Sequence, residues 1–262
     1  RLYRARGLSL DTTLSPNFAI EESIKALKAK GLFTADSVKR VAIIGPGLDF
    51  TDKAAGYDFY PEQTIQPFAV IDSLMRAGLS KADGLQVTIF DLSPRVLEHL
   101  KTARQKAARG IGYTVQLPYD PGAKWTSQWL SYWQNFGDQI GKASMPVDVP
   151  AGLGEMKSRV VKIHPAIVKL ISPVDLNIVL QRSTQSENFD LIVATNILVY
   201  YDVFEQSLAL SNIESMLRVG GVLLSNNALL ELPVLKMKSV GYQTTVYSDR
   251  ADDGDHIVWY LR

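Results

Sequence analysis

The chain has 262 residues, of which 46% are hydrophobic and 21% charged, with a formal net charge of +1 and a mean hydropathy of 0.00. That composition describes a globular protein long enough to bury one sizeable core. A near-neutral balance gives no overall attraction to nucleic acid or to an anionic membrane surface, so neither is an expected partner. The lack of cysteine excludes disulfides, thiolate metal sites and cysteine nucleophiles from this chain.

No apolar run approaches the ~20 residues that a membrane-spanning helix requires, so a cytoplasmic protein is expected. The first residue is Arg1 rather than Met, and the chain is expected to begin inside a longer precursor. Arg1–Leu10 lacks the apolar stretch of a signal peptide.

Ser15–Gly31 is predicted to be the first helix. Pro16 suits the first helical position after a Ser15 cap, and Ile20, Ile24 and Leu27 fall on one face. Val41–Ile44 is a short β-branched run that predicts a strand buried on both faces. Gly45-Pro46-Gly47 follows it. The segment Thr51–Gln66 is either part of a pocket wall, through Tyr57, Asp58, Phe59, Tyr60, Glu62 and Gln63, or a packed Ω-like loop. Pro67 opens a helix that stops near Gly78, Val87–Phe90 is the second strand, and Ser93-Pro94 begins a helix that ends before Gly110.

From Tyr113 to Pro173 the pattern changes, and this stretch reads as an inserted cap over the carboxyl edge of the sheet. It contains three of the four tryptophans, Trp125, Trp129 and Trp133, at the i, i+4, i+8 spacing of one helix stripe. Such a stripe is either core or a partner surface. Leu176–Leu180 is predicted as the third strand and Asp190–Ala194 as the fourth. A helix over Val203–Leu217 is ended by Gly220-Gly221, Val222–Ser225 is the fifth strand, and Gln243–Tyr247 with His256–Leu261 forms a closing hairpin. The expected organisation is an N-terminal helical extension over residues 1–40 and one domain over 41–262, with residues 113–173 inserted. Alternating strands and helices predict a doubly wound, mostly parallel α/β sheet.

Ligands of such sheets bind beyond the carboxyl ends of the strands. Glycines at 45 and 47 permit positive φ and close backbone approach. Asp91 ends the second strand, where a carboxylate can accept bonds from two vicinal hydroxyls or can cap the helix begun at Ser93-Pro94. The histidines His99, His164 and His256 lack metal-ligand spacing, and GxSxG and GxxxxGK[ST] are absent.

The ordered set VAIIGPGLDF, VTIFDLSPRV, NFDLIVATNILVYYD and MLRVGGVLLSNN resembles the core of the class I S-adenosylmethionine (SAM)-dependent methyltransferases. The resemblance spans roughly Val41–Arg262 apart from the middle insertion. The run Asn196–Asp202 resembles the chemotaxis-receptor methyltransferases, a local similarity confined to about 40 residues around the fourth and fifth strands. The resemblance implies a seven-stranded sheet with an antiparallel last strand and SAM as cofactor. It places Gly45, Pro46 and Gly47 at the methionine end, Asp91 with Leu92 at the ribose, and Gln181 or Arg182 at the adenine. Thr195 and Asn196 then face the transferring methyl. The usual acid at the adenine position is replaced by Gln181. The acceptor is a small molecule or a protein side chain. A carboxylate acceptor requires no base; a hydroxyl or amine requires one from the cap or from Tyr60, Tyr200 or His164. Two other readings are a non-catalytic SAM-binding or interaction module and an NAD(P) oxidoreductase, the latter disfavoured by Phe50 where GxGxxG requires a small residue.

Overall fold

The computed structural model describes residues 14–52, 57–58, 61–145, 156–183 and 188–262. In chain order it contains α1 (Leu14–Ala29), β1 (Arg40–Ile44), β2 (Thr51–Asp52), β3 (Tyr57–Asp58), α2 (Gln66–Arg76), β4 (Gln86–Asp91) and α3 (Pro94–Ala108). Then come β5 (Tyr113–Tyr119), α4 (Ser127–Asn135), β6 (Gly141–Ser144), β7 (Lys157–Ile163), α5 (Pro165–Val168) and β8 (Ile171–Asp175). The last elements are β9 (Phe189–Val193), α6 (Val203–Met216), β10 (Leu217–Ser225), β11 (Lys238–Val246) and β12 (Gly254–Leu261).

The main sheet has seven strands in the order β11-β12-β10-β9-β1-β4-β8. β8, β4, β1, β9 and β10 pair in parallel. β12 lies between β10 and β11 and is antiparallel to both. This is the doubly wound, mostly parallel layout that the sequence predicts, with the antiparallel finish that the resemblance implies. Alternate residues of β1 feed two cores, one on each face of the sheet. Val41 and Ile43 join a cluster with Phe18, Ile24, Phe68 and Leu100 from α1, α2 and α3. Ala42 and Ile44 join another with Ala209, Leu210 and Ile213 from α6. α1 therefore belongs to the same core as the sheet.

The third strand differs from its expected place. It is β8, Ile171–Asp175, and Leu176–Leu180 is a turn. Pro173 has no N–H for a ladder, which argues against a central strand, but β8 pairs only with β4 and forms the sheet's edge, where proline is tolerated. Asn177 Oδ1 accepts the N–H groups of Val179 and Leu180 at 3.0 and 3.3 Å, which turns that apolar run out of the sheet. The helix before β10 also ends early, at Met216, because Leu217 already pairs with Phe189.

Residues between β4's crossover helix and β8 form a separate antiparallel sheet, β5-β7-β6, with α4 and α5. It packs on α1 and α2. The Trp129 indole donates to Ser15 Oγ at 3.0 Å, and Arg76 donates to the Asn135 carbonyl at 2.9 Å. Trp129 is fully buried and stacks on Trp125 at 4.0 Å, and Trp125 and Trp133 are partly buried against the same core; Trp125 precedes α4, so the three tryptophans are not one helix stripe. Among the described residues, no helix is long and apolar enough to cross a membrane. None of their His, Asp and Glu side chains gather into a group that could hold a metal ion.

Candidate functional site

Parallel pairing brings five strand ends to one edge of the sheet: Asp175 after β8, Asp91 on β4, Gly45 after β1, Thr195-Asn196 after β9, and Asn226 after β10. Gly45 continues the ladder by donating its N–H to the Phe90 carbonyl at 2.8 Å. The loop needs its glycines, with φ of +62° at Gly45 and +67° at Gly47. Pro46 between them is buried. A Cβ at Gly45 would lie 2.3 Å from Ile197 Cδ1, so the group that presses on this glycine is a side chain of the β9 loop. Gly45→Ala is expected to cost about 1–2 kcal/mol from left-handed backbone alone, with a clash term added. Urea unfolding of Gly45→Ala, Ile197→Ala and the double variant separates the two. A double variant as stable as Ile197→Ala would refute the backbone part.

Asp91 joins the two neighbouring strand ends. Its carboxylate accepts the Ser93 N–H at 2.8 Å, and the Gly47 and Leu92 N–H groups are near enough to favour its charged form. Burial pushes the carboxyl up from the usual range, and those three N–H groups oppose the shift. Ser93 makes no side-chain cap of its own, so Asp91 also serves the entry to α3. Leu92 beside it is 53% exposed, an apolar face at the rim.

Asp175 lies in register with Asp91 on the adjoining strand and is exposed. The sequence reading missed it because it placed the third strand one segment too late. The signal was present: ISPVD ends in an acid as IFD does.

Gln181 is engaged elsewhere. Its Oε1 accepts the Asn177 N–H at 3.0 Å, and its own N–H donates to the Asn177 carbonyl at 2.7 Å, closing the turn after β8. Arg182 beside it is exposed. Thr195 is buried and its Oγ1 accepts from Gln66 Nε2 at 2.9 Å, which ties β9 to the start of α2. Asn196 has φ of +56°, a conformation asparagine tolerates better than most residues. Its N–H donates to Asn226 Oδ1 at 2.8 Å, and Asn226 Nδ2 donates back to Asn196 Oδ1. Asn226 is a second residue that sequence reasoning left unassigned.

Of the three side chains named as possible bases, His164 caps α5 by accepting the Ala166 N–H on Nδ1 at 3.2 Å. Tyr200 stands 72% exposed on the short 3-10 turn Leu198–Tyr200 that follows Asn196. Tyr60 lies outside the described residues. Asp49, just past the glycine loop, is buried and accepts the Ile65 N–H at 2.5 Å. Burial pushes its carboxyl well above the ordinary range.

No protein-family profile matches the chain, and no curated protein sequence matches it. Solved structures do. The N-methyltransferase NodS from Bradyrhizobium japonicum WM9 is similar at 13% identity over 92% of this chain and 96% of that one, with a TM-score of 0.43. Its complex with S-adenosyl-L-homocysteine (SAH) aligns at 15% identity over 92% and 87%, with a TM-score of 0.41. The magnesium protoporphyrin IX methyltransferase ChlM from Synechocystis PCC 6803, with bound SAM, aligns at 12% identity over 94% and 79%, also at 0.41. The strand order itself fixes the fold: a mostly parallel seven-stranded sheet with an antiparallel strand inserted at one end, the Rossmann-like layout of the class I methyltransferases.

Proposed function

We propose that this chain is a SAM-dependent methyltransferase that moves a methyl group directly to an acceptor, a small molecule or a protein side chain. The observation that supports this best is the adjacency of the β1 and β4 ends, which sets the glycine loop beside the Asp91 carboxylate, with the Gly47 N–H near enough to favour its charge. The donor set suits a sulfonium nucleoside. The Ser93 N–H occupies one of the roughly four acceptor positions of the Asp91 carboxylate. What remains can take a ribose hydroxyl, and Asp175 supplies a second acceptor alongside. We assign Asp175 the adenine-side role first given to Gln181, whose carbonyl closes a turn. Leu92 offers an apolar surface to the base, with Arg182 further along the same rim.

When bound, SAM supplies a methyl group on a positive sulfur, already activated for displacement. The protein's contribution is alignment and exclusion of water. Gly45, Pro46 and Gly47 give the methionine end a close backbone approach. Thr195 is held by Gln66 and fixes the end of β9. Asn196 is held by Asn226 through its N–H and Oδ1, which directs its remaining side-chain NH2 as a donor at the methyl side. A carboxylate acceptor requires no proton to be moved there. For a hydroxyl or amine, the exposed Tyr200, on the 3-10 turn that follows Asn196, is the candidate base among the described phenols named above.

Titration calorimetry with SAH tests the reading. One-site binding is expected, with no binding of NADH under the same conditions. A folded protein that ignores SAH, or prefers NADH, overturns it.

A further inference from the structure

The stretch Glu62–Gln66, which leads into α2, is held by contacts from several elements. Glu62 pairs with Arg95 at 2.6 Å and faces His99 Nδ1 at 3.3 Å, both on α3. Gln63 bonds both backbone groups of Gln116 on β5, at 3.0 and 2.9 Å, and its carbonyl accepts the Asp49 N–H at 2.9 Å. The Thr64 N–H donates to the Tyr113 hydroxyl at 2.8 Å, and that hydroxyl lies 2.7 Å from His99 Nε2. Gln66 reaches Thr195, as above.

Counting protons fixes the direction of this chain. The Tyr113 oxygen already accepts from Thr64. Its one proton therefore goes to His99 Nε2, because Tyr113 is buried and His99 is the partner in reach. Nε2 is then the acceptor, and the ring proton sits on Nδ1, facing the Glu62 carboxylate. Every group is satisfied only while His99 is neutral. A second ring proton, on Nε2, would leave the Tyr113 hydroxyl proton without an acceptor in a buried site.

We propose that His99 and Tyr113 are positioning residues that lock the segment entering α2, and that acid unlocks it and weakens cofactor binding. This rests on the cofactor reading above. The lock acts through Thr64 and its neighbours on Asp49 beside the glycine loop and on Thr195 at the end of β9. The charged and titratable groups facing His99 are Glu62 from the segment, Arg95 and Lys106 from its own helix, and Tyr113 from β5; Asp49 faces Tyr113. Burial lowers the His99 pKa from its ordinary 6.5, against the attraction of Glu62. The sign follows. Nothing is lost at pH 7.5, where the ring is neutral folded or unfolded. The folding penalty grows as pH falls below 6.5 and is complete below the lowered folded value, whereas SAH affinity falls as pH drops through the His99 value of the free folded chain, because the bound form excludes the second ring proton.

The test has two readouts on the whole chain. Nitrogen NMR of the ring, without ligand at pH 7.5, is expected to show a neutral His99 protonated on Nδ1; an Nε2–H or charged ring overturns the proposal. SAH affinity is then measured from pH 7.5 down to the lowest pH at which circular dichroism shows the chain folded. A drop of about five-fold or more is expected, and His99→Gln is expected to abolish the step. A flat wild-type profile, or a step that survives in His99→Gln and so belongs to another group, overturns it. Failure to bind SAH at any pH sinks the cofactor reading instead, and the tautomer result still decides the lock. If His99→Gln does not fold, Tyr113→Phe replaces it, and a wild-type-like step in that variant counts against the lock.

Discussion

Asp72→Ala is expected to remove about 3–5 kcal/mol of folding stability, the scale for breaking one side of a buried ion pair. Asp72 sits on α2 with no exposed surface. Its carboxylate accepts from Arg76, from the Gly137 N–H at 2.9 Å and from the Gln139 N–H at 3.1 Å. Burial pushes this carboxyl up, and the Arg76 charge and the two N–H groups oppose that push. Truncation leaves the Arg76 guanidinium with Glu21 at 3.6 Å as its remaining acid. It also strands the two backbone donors of the inserted segment, each costing about 1–3 kcal/mol when buried and unmet. The insertion thereby loses its polar anchor on α2. Urea unfolding is the measurement. Arg76→Met in the Asp72→Ala background is expected to add to the loss, because Arg76 still pairs with buried Glu21 and donates to the Asn135 carbonyl. A loss under about 1 kcal/mol would contradict the charge-deletion estimate and the anchor with it.

What the sequence made legible follows from burial. Val41–Ile44, Val87–Phe90 and Asp190–Ala194 are central strands, covered on both faces, so each is a short apolar run that stands out. The edge strand β8 is half covered and contains Pro173, and the nearby Leu-Asn-Ile-Val-Leu run is the more strand-like text. Only the Asn177 side chain, bonding two N–H groups downstream, makes that run a turn. Periodicity is blind to such a bond, and Asp175 was lost with the misplaced strand. Gly45-Pro46-Gly47 and Asp91 were legible because glycine and an acid at strand ends are local signals. The Asn196–Asn226 pair and the Glu62–His99–Tyr113 chain are not local. Their members are 30 residues apart in the first case, and 14 apart between His99 and Tyr113. No spacing rule brings them together before the sheet does. Asp72 is hidden for another reason: it is a single acid in the buried stretch of α2, and what satisfies it lies in the insertion.

Asp91→Ala is expected to weaken SAH binding by about 1.5–3 kcal/mol, the value of a hydrogen bond to a charged group. That is roughly a 10- to 150-fold rise in Kd. The carboxylate has two functions to lose. One is the acceptor offered to the ribose. The other is the bond to the Ser93 N–H and the attraction for the nearby Gly47 and Leu92 N–H groups, which steady the β1 and β4 loops. Asp91→Asn separates them. Its amide keeps one acceptor oxygen for the Ser93 N–H but carries no charge, so it should retain the loop and still bind SAH weakly. Asp175→Ala, at an exposed position, is expected to cost less than Asp91→Ala. Circular dichroism and a thermal melt establish that each variant is folded before calorimetry is read. Wild-type affinity in a folded Asp91→Ala protein would remove the acid from the ribose. A full loss in Asp91→Ala with wild-type affinity in Asp91→Asn would leave Asp91 holding the loop and not the nucleoside.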